Sequence, residues 1–382
     1  MKPFRYAVPT PVFFGADCIK NNAAILNSYG KRAFIITSRF LPGYKNLALE
    51  DIETVLKSLS ITYKVNREVQ ENPPVSSVAA IAAEAMSFKP DFLIAPGGGS
   101  SIDTAKAVSV LFKYPGKPVM EVLYGAGLPY GKTVSEGGLP LVAIPTTAGT
   151  GADVTGFSVL TREDTQTKLT ISQMVFPDVT FLDAKYTADT PPLVTHTGAL
   201  DALSHGVETY VNVLSNFMNR SIAEIGFKLF AEYKDAMLAN EYSFEQREKM
   251  LLASTVQGMA FMQAGTCLPH GMSYPLSHYK HVPHGIACGM LQAEYLRVFQ
   301  NQATVLPIVK MLGFESVDAF AAYLKKLVAQ DINISVTPKE IEQWATEFCG
   351  LKYRLERHPE PIGVPEIVQI YKNSLSKYLA PN

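Results

Sequence analysis

The segment FLIAPGGGSSIDTAKAV, residues 92–108, passes from a short apolar run through three glycines into a helical pattern. Glycines at 97–99 allow the backbone to approach a ligand closely and to adopt positive φ. A helix that begins here directs its N–H groups and the positive end of its dipole at one point, which suits a pyrophosphate. We expect Ser100 or Ser101 to cap this helix and Asp103 to lie in its first turn. The alternative is a tight strand-to-helix turn without a ligand, which needs fewer glycines.

Strand-like and helical segments alternate on both sides of this loop. The short apolar or β-branched runs typical of strands are KRAFIITS (31–38), ITYKVNREV (61–69) and LPLVAIPTT (139–147). Helical periodicity is present at 47–60 and at 75–88. This order predicts a parallel sheet covered by helices, which is an α/β domain.

The pattern changes at Thr190-Pro191-Pro192, a break that disfavours continued structure. Long amphipathic or apolar helical stretches follow it, and convincing strands are absent. We therefore expect an α/β dinucleotide-binding domain over residues 1–189. An all-α domain is expected over residues 190–382, and the candidate metal-binding residues described below lie in it.

Composition and charge exclude several classes of function. The 382 residues carry a net charge of -1 without a basic block, which argues against nucleic acid or an anionic membrane surface as a partner. No apolar run reaches the ~20 residues that span a bilayer, and the N-terminal residues lack a signal-peptide pattern. The four cysteines are scattered without a CxxC pair. We expect no disulfide framework, no thiolate zinc site and a cytoplasmic location.

Two further loops contain glycine and hydroxyl side chains. IPTTAGTGADVT (144–155) ends a strand and offers the hydroxyls of Thr146, Thr147 and Thr150 to a cofactor. An ordinary Thr/Gly loop is the alternative. AGLPYGKT (126–133) matches a relaxed Walker A pattern, but the residues after it do not continue a helix. We interpret this second segment as a surface loop.

Histidines are concentrated late in the chain, where four of the seven lie within residues 270–284. Histidine ligates metals, so a local cluster is a candidate site. Pro-His-Gly occurs there twice, at 269–271 and 283–285, and proline and glycine fix the backbone around each imidazole. We interpret His278 and His281 as exposed loop residues.

Asp201 and His205 are four residues apart in a helical context and therefore share one helix face. Their neighbours are apolar, so the helix is buried and the carboxylate needs a compensating partner. An i,i+4 polar pair on a solvated face is the alternative. With His270 and His284 the pair supplies three nitrogens and one oxygen, a set that suits Fe²⁺ or Zn²⁺. Either ion is a Lewis acid toward a substrate oxygen.

Together these motifs resemble the iron-containing, group III alcohol dehydrogenase family, in the order GGGSSIDTAKAV, PTTAGTGADVT, DALSHGVETYV and HGMSYPLSHYKHVPHG. The resemblance covers nearly the whole chain. It implies hydride transfer between a nicotinamide cofactor and a small alcohol or aldehyde, and a homodimer. By motif it implies metal ligation by Asp201, His205, His270 and His284. It also implies cofactor contacts from Gly97, Gly98, Gly99, Ser100, Asp103, Thr146, Thr147, Thr150 and Lys168.

The sequence departs from the family pattern at two places. Many members have HGxxHP, with the second histidine near the substrate, whereas this chain has Tyr274 in HGMSYP. Tyrosine can donate or accept a proton, and His278 or His281 is the alternative relay. In members that prefer NAD the first strand commonly ends in Asp, whereas here it ends at Ser38 and Arg39. Arg39 would pair with a 2′-phosphate, so we favour NADP(H) over NAD(H), a solvated Arg39 being the alternative.

Three other functions share this architecture or part of it. Two are enzymes, a glycerol-dehydrogenase-like polyol oxidase and a dehydroquinate-synthase-like lyase. The lyase would need several basic residues for a phosphate substrate, and few are placed near the metal motifs. The third is a non-catalytic dinucleotide sensor, against which the intact set of four ligands argues.

Overall fold

A computed structural model describes residues 3–39, 45–125, 138–165 and 167–380 of the chain. They divide into two compact units, Val8–Thr190 and the residues on either side of it. The segment up to Ala7 belongs with the helical unit, because Tyr6 donates a hydrogen bond to the Met259 carbonyl and Gln263 donates one to the Ala7 carbonyl. The predicted division into 1–189 and 190–382 assigned this segment to the α/β domain instead. The Walker-like segment 126–133 lies outside the described residues.

The first unit carries the strands of the described chain. They are β1 (Val12–Phe14), β2 (Arg32–Ser38), β3 (Thr62–Val69), β4 (Phe92–Gly97), β5 (Leu141–Pro145), β6 (Val159–Arg162), β7 (Thr167–Thr170) and β8 (Val179–Leu182). Its α-helices are α1 (Cys18–Asn21), α2 (Leu47–Ser58), α3 (Val75–Phe88), α4 (Gly99–Lys113) and α5 (Val119–Tyr124). Short 3₁₀ helices cover Ala23–Ser28 and Ala184–Thr187.

Six strands form one parallel sheet in the order β1-β8-β5-β4-β2-β3. The predicted parallel α/β domain is therefore confirmed. β6 and β7 form a separate antiparallel hairpin, which the sequence analysis did not predict. β1 and β8 were also missed, because strands of three and four residues are too short to show a period.

The sheet is covered on both faces, and alternation along β2 shows how. Phe34 and Ile36 join one buried apolar cluster, which includes residues of α3, α4 and α5. Ala33 and Ile35 point the other way into a second cluster with α2. All six residues of β4 are buried, as expected for a central strand of a parallel sheet. The loop after β4 is consequently held on a rigid scaffold.

The second unit is helical throughout its described residues. Its α-helices are α6 (Pro192–Val211), α7 (Phe217–Ala239), α8 (Phe244–Ala264), α9 (Leu268–Lys280), α10 (His284–Gly289), α11 (Gln292–Arg297), α12 (Gln302–Met311), α13 (Val317–Val328), α14 (Pro338–Cys349), α15 (Lys352–Leu355) and α16 (Val364–Ser374). A 3₁₀ helix covers Ser376–Tyr378. The predicted all-α C-terminal domain is confirmed. Among the described residues, no helix combines the length and apolar character that crossing a bilayer requires.

Candidate metal and cofactor sites

Helix α6 supplies two of the predicted metal ligands from one buried face. Asp201 and His205 are 5% and 7% exposed, and the residues around them are apolar. Most residues of α6 are buried on all of its faces, so the solvated-face alternative is wrong. The buried carboxylate then requires positive charge or hydrogen bonds close to it.

The two Pro-His-Gly motifs each mark the beginning of a helix. Pro269 lies in the first turn of α9 and Pro283 is the N-cap of α10, positions where a missing N–H costs little. The predicted loop around His278 is wrong, because that residue lies inside α9. His281 ends α9 in a left-handed conformation, with φ of 55°.

The glycines of these motifs are required by close packing. A Cβ at Gly285 would lie 1.9 Å from the Thr197 carbonyl oxygen and 2.8 Å from the Asp201 Cβ. Helix α10 therefore packs directly on α6, which brings His284 to Asp201. A Cβ at Gly271 would lie 2.7 Å from Arg354 Nη1.

Substitution of Gly285 tests this packing. Gly285→Ala is expected to destabilise the protein by about 1–3 kcal/mol and to weaken metal binding, because α10 must move away from α6. Gly363→Ala is the control, since its nearest neighbour atoms lie 3.7 Å from the added Cβ. Chemical denaturation and metal content measure the two effects. A Gly285→Ala protein that matches the control in both would contradict the packing argument.

The three predicted histidine ligands converge on the Oδ1 atom of the fourth ligand, Asp201. This oxygen lies 3.9 Å from His205 Nε2, 3.6 Å from His270 Nε2 and 3.9 Å from His284 Nε2. Ligand atoms that sit about 2.0–2.2 Å from one tetrahedral ion lie roughly 3.3–3.6 Å apart. A small contraction would bring this group, which we call the Asp201 cluster, around one ion.

Two atoms of the Asp201 cluster also lack the partners that buried polar atoms have. Asp201 Oδ1 and His270 Nε2 are buried, and neither has a hydrogen bond within the described chain. Such atoms are rare in folded proteins because desolvation is costly. Burial raises the pKa of Asp201, but the imidazoles, His205 foremost, hold it well below its usual range. The donor set and its orphaned atoms therefore fit a divalent cation.

Glu208 is a residue of this site that the sequence analysis missed. It is fully buried on α6, and its Oε1 lies 2.6 Å from His270 Nδ1. Gln292 donates to the same oxygen, and the backbone N–H groups of Cys267 and His270 donate to the other. Nδ1 therefore carries the proton, and Nε2 is aimed at Asp201. Its position three residues after His205, on the same helix face, was the available signal.

Cys288 is a second missed residue. Its Sγ lies 3.7 Å from His284 Nε2, and the ligand atoms of Asp201, His270, His284 and Cys288 all lie within 4.8 Å of one another. His205 is outside that tighter group. The sequence analysis expected no thiolate zinc site and did not consider Cys288 as a neighbour of these ligands. The sequence signal was its spacing, four residues after His284 on one face of α10.

Tyr274 contacts the cluster, whereas His278 does not within the described chain. The Tyr274 ring stacks on that of His284 with centroids 6.3 Å apart. Burial raises the pKa of Tyr274, and the Arg354 guanidinium opposes that rise. His278 is exposed, and its ring packs edge-on against Tyr279. Tyr274 is therefore the better placed of the two candidate proton donors.

The predicted cofactor loops lie at one edge of the parallel sheet in the first unit. β2, β4 and β5 are neighbours, so the residues after their carboxyl ends share that edge. Ligands of open α/β sheets bind at such an edge. The Thr146 N–H donates to the Gly97 carbonyl, which joins two of these loops directly.

The three glycines of the loop are needed for packing rather than for positive φ. None of them is among the residues with positive φ. A Cβ at Gly98 would lie 3.1 Å from Thr147 Oγ1, and one at Gly99 would lie 2.7 Å from Thr150 Cγ2. Positive φ is therefore not used at these positions, the threonine loop is the close neighbour of Gly98 and Gly99, and contact with a pyrophosphate stays a prediction.

The N-terminus of α4 differs from its predicted form. The helix begins at Gly99 with Gly98 as N-cap, and no side chain caps it. Ser100 and Ser101 lie inside the first turn, and Asp103 follows that turn. A glycine cap leaves the first N–H groups of the helix without a side-chain acceptor, which suits a bound phosphate.

Asp103 and Lys168 are linked through the hairpin. Asp103 Oδ2 accepts a hydrogen bond from the Val159 N–H, and its carbonyl accepts one from Ser158. Lys168 is half-buried on β7, paired with Thr161 of β6. Burial raises the pKa of Asp103 to about 6. Asp103 therefore connects α4 to the β6–β7 hairpin, on which Lys168 lies.

Lys106, one turn further along α4, gives a pH-dependent prediction. Its ammonium is fully buried and donates to the carbonyls of Thr155 and Phe157. Burial lowers the pKa of Lys106 to about 8 from 10.5. Between these values the unfolded chain binds more protons, so this group adds stability as the pH rises from 8 toward 10.5. The melting temperature of the wild type should therefore rise relative to that of Lys106→Met as the pH increases over this range. A constant difference would contradict the prediction.

Arg39, which we predicted to bind a 2′-phosphate, forms an ion pair with another residue of the protein. It follows Ser38 at the end of β2, and its Nη2 lies 2.6 and 2.7 Å from the two carboxylate oxygens of Glu68. Both side chains are exposed. A cofactor phosphate would have to compete with this carboxylate.

Comparison with known proteins gives a consistent result. Residues 9–184 match the family described as iron-containing alcohol dehydrogenase, and residues 195–375 match its Fe-containing C-terminal domain family. The chain is 34% identical over 307 residues to the bifunctional aldehyde-alcohol dehydrogenase of Escherichia coli, which covers 78% of this chain but 34% of that protein. It is 31% identical over 281 residues to the sulfoacetaldehyde reductase of Bilophila wadsworthia, covering 72% and 70%. A crystal structure of an iron containing alcohol dehydrogenase superposes with a TM-score of 0.85 at 31% identity, over 98% of this chain and 99% of that one.

Proposed function

Because this chain belongs to the iron-containing alcohol dehydrogenase family, we propose that it transfers hydride between a nicotinamide cofactor and a small alcohol or aldehyde at the Asp201 cluster. The observation that carries the proposal is the convergence of three imidazole nitrogens on one buried carboxylate oxygen. The polyol oxidase, the lyase and the sensor are not favoured, since the similar proteins are alcohol dehydrogenases and aldehyde reductases.

The metal would be held by Asp201, His205, His270 and His284. When bound, Fe²⁺ or Zn²⁺ supplies a Lewis acid that polarises the substrate oxygen. Three nitrogens and one oxygen suit both ions, and the family name favours iron. The chain contributes by presenting His270 in one tautomer, fixed by Glu208, so that its Nε2 stays available.

Tyr274 would handle the proton. Its ring lies against His284, and its raised pKa keeps the phenol protonated at neutral pH. A protonated Oη donates a hydrogen bond to the substrate oxygen and can pass its proton as the alcohol forms. Proton exchange with solvent would restore the phenol between turnovers.

The dinucleotide would bind at the sheet edge formed by the loops after β2, β4 and β5. When bound, its nicotinamide donates or accepts the hydride. The pyrophosphate would meet the N-terminus of α4, where Gly97, Gly98, Gly99 and Ser100 lie. Thr146, Thr147 and Thr150 form the neighbouring wall, and Lys168 stays a predicted ribose contact.

Preference for NADP(H) over NAD(H) is part of the proposal and rests on Arg39. Arg39→Ala should raise the KM for NADPH several-fold and leave that for NADH little changed, because only NADPH carries the 2′-phosphate. Glu68→Gln should lower the KM for NADPH by releasing Arg39 from its partner. Initial rates with both cofactors measure this. Equal changes for the two cofactors in Arg39→Ala would argue for NAD(H).

The activity itself is tested by absorbance at 340 nm. Protein reconstituted with Fe²⁺ or Zn²⁺ under argon would be mixed with NADPH or NADH and a panel of small aldehydes. We expect cofactor oxidation that depends on both the metal and the aldehyde. No oxidation with any combination would reject the proposed function. The homodimer and the cytoplasmic location stay predictions.

A further inference from the structure

Arg354 is a half-buried cation with no carboxylate partner among the residues that the structure describes. Its Nε donates a hydrogen bond to the Tyr353 hydroxyl at 3.2 Å. The arginines Arg39, Arg162 and Arg297, by contrast, each pair with a carboxylate. Placing a cation in a partly desolvated position without a counter-ion is unfavourable. An anionic ligand would supply the counter-ion that Arg354 does not find in the described chain.

Two independent contacts place this guanidinium beside the Asp201 cluster. Its Cζ lies 5.2 Å from the centroid of the Tyr274 ring, the ring that also stacks on His284. Its Nη1 approaches Gly271, the residue after His270, so closely that a Cβ there would lie 2.7 Å away. Arg354 and the cluster thus share two neighbours.

We propose that Arg354 binds an anionic group on the substrate, so that the preferred substrates are short aldehydes carrying a sulfonate, phosphonate or carboxylate. This inference rests on the proposed function and names its substrate class. The planar guanidinium presents paired N–H donors, which match two oxygens of such a group. Tyr274 then contacts the substrate between the anion and the reacting carbonyl. A cation–π contact alone would account for packing but would leave the Nη donors without an anion.

Steady-state reduction of matched aldehydes tests the inference. The anionic probes are sulfoacetaldehyde, phosphonoacetaldehyde and succinic semialdehyde, and the neutral probes are propanal and butanal. The ratio of kcat/KM for anionic over neutral probes should exceed one and should fall about 10- to 100-fold in Arg354→Gln, the range for hydrogen bonds to charged groups. Arg354→Lys should retain part of this preference for the anionic probes. Lys352→Gln removes one charge from the same short helix at an exposed position and should keep the ratio.

An inhibition assay tests anion binding by Arg354 separately from the catalytic rates of the variants. Ethanesulfonate should compete with propanal in the wild type and in Lys352→Gln, with sodium chloride at the same ionic strength as control. In Arg354→Gln its inhibition constant should rise at least about 10-fold. Wild-type protein that reduces neutral aldehydes but neither prefers the anionic ones nor binds ethanesulfonate would overturn this inference alone. Failure to reduce any aldehyde would instead reject the proposed function.

Discussion

Replacing His270 with alanine is expected to release the bound metal and to lower kcat/KM for aldehyde reduction by about 10³-fold or more, because Lewis-acid stabilisation is worth several kcal/mol. His270 Nε2 lies 3.6 Å from Asp201 Oδ1 and has no other hydrogen-bond partner in the described chain. The variant removes the imidazole that Glu208 holds in place. Metal analysis of protein purified without oxygen measures the first effect, and the 340 nm assay measures the second.

His278→Gln is the matched control for this experiment. His278 lies on the same helix but is exposed, and its ring contacts Tyr279 rather than the cluster. We expect the control to keep its metal, and its turnover then reports separately on the alternative proton relay. His270→Ala protein that retains a full complement of metal and full activity would show that the Asp201 cluster is not the metal site.

Substitution of Glu208 is expected to have the second-largest effect, and it should change both the stability and the metal affinity of the protein. Glu208→Ala leaves three buried donors without an acceptor and removes one of the two acceptors of Gln292, and we expect the free energy of unfolding to fall by about 3–5 kcal/mol. Glu208→Gln keeps the shape of the side chain but not its charge. The dissociation constant of the metal should then rise about 10- to 100-fold, since residues that hydrogen-bond to ligating histidines contribute that much.

Glu294→Gln separates these effects from the general loss of a buried carboxylate. Glu294 is 4% exposed and accepts hydrogen bonds from Arg297 and Asn373, and it takes no part in the Asp201 cluster. Its replacement should lower stability while leaving metal affinity unchanged. Competition with a chelator of known affinity measures the metal, and urea denaturation measures stability. Equal metal affinity in Glu208→Gln and Glu294→Gln would contradict the positioning role of Glu208.

The sequence was sufficient for features that follow from periodicity and local spacing. The alternation of β2, α2, β3, α3 and β4 was recognisable because each element is long enough to show its period. Asp201 and His205 share a face for the same reason. What the sequence did not reveal depends on contacts between distant segments. The spacing of Glu208 from His205 was visible, but its hydrogen bond to His270 forms only when α9 folds against α6.

The errors have similar physical origins. Serine caps are common, but α4 has Gly98 as its N-cap, and a Cβ there would lie 3.1 Å from Thr147 Oγ1. The sequence could not show that β3 places Glu68 beside Arg39, and the preference for NADP(H) stays a prediction. Cys288 was dismissed because cysteine sites were sought as pairs, whereas its neighbours in space are a carboxylate and two imidazoles.

The origin of the four ligands on three helices also affects how the protein folds. Asp201 and His205 come from α6, His270 from α9 and His284 from α10, so one ion would act as a cross-link spanning residues 201–284. An ion that binds only the folded chain stabilises it by mass action. Metal supply and folding yield would then be linked, and we expect a chain made under metal starvation to be less stable as well as inactive.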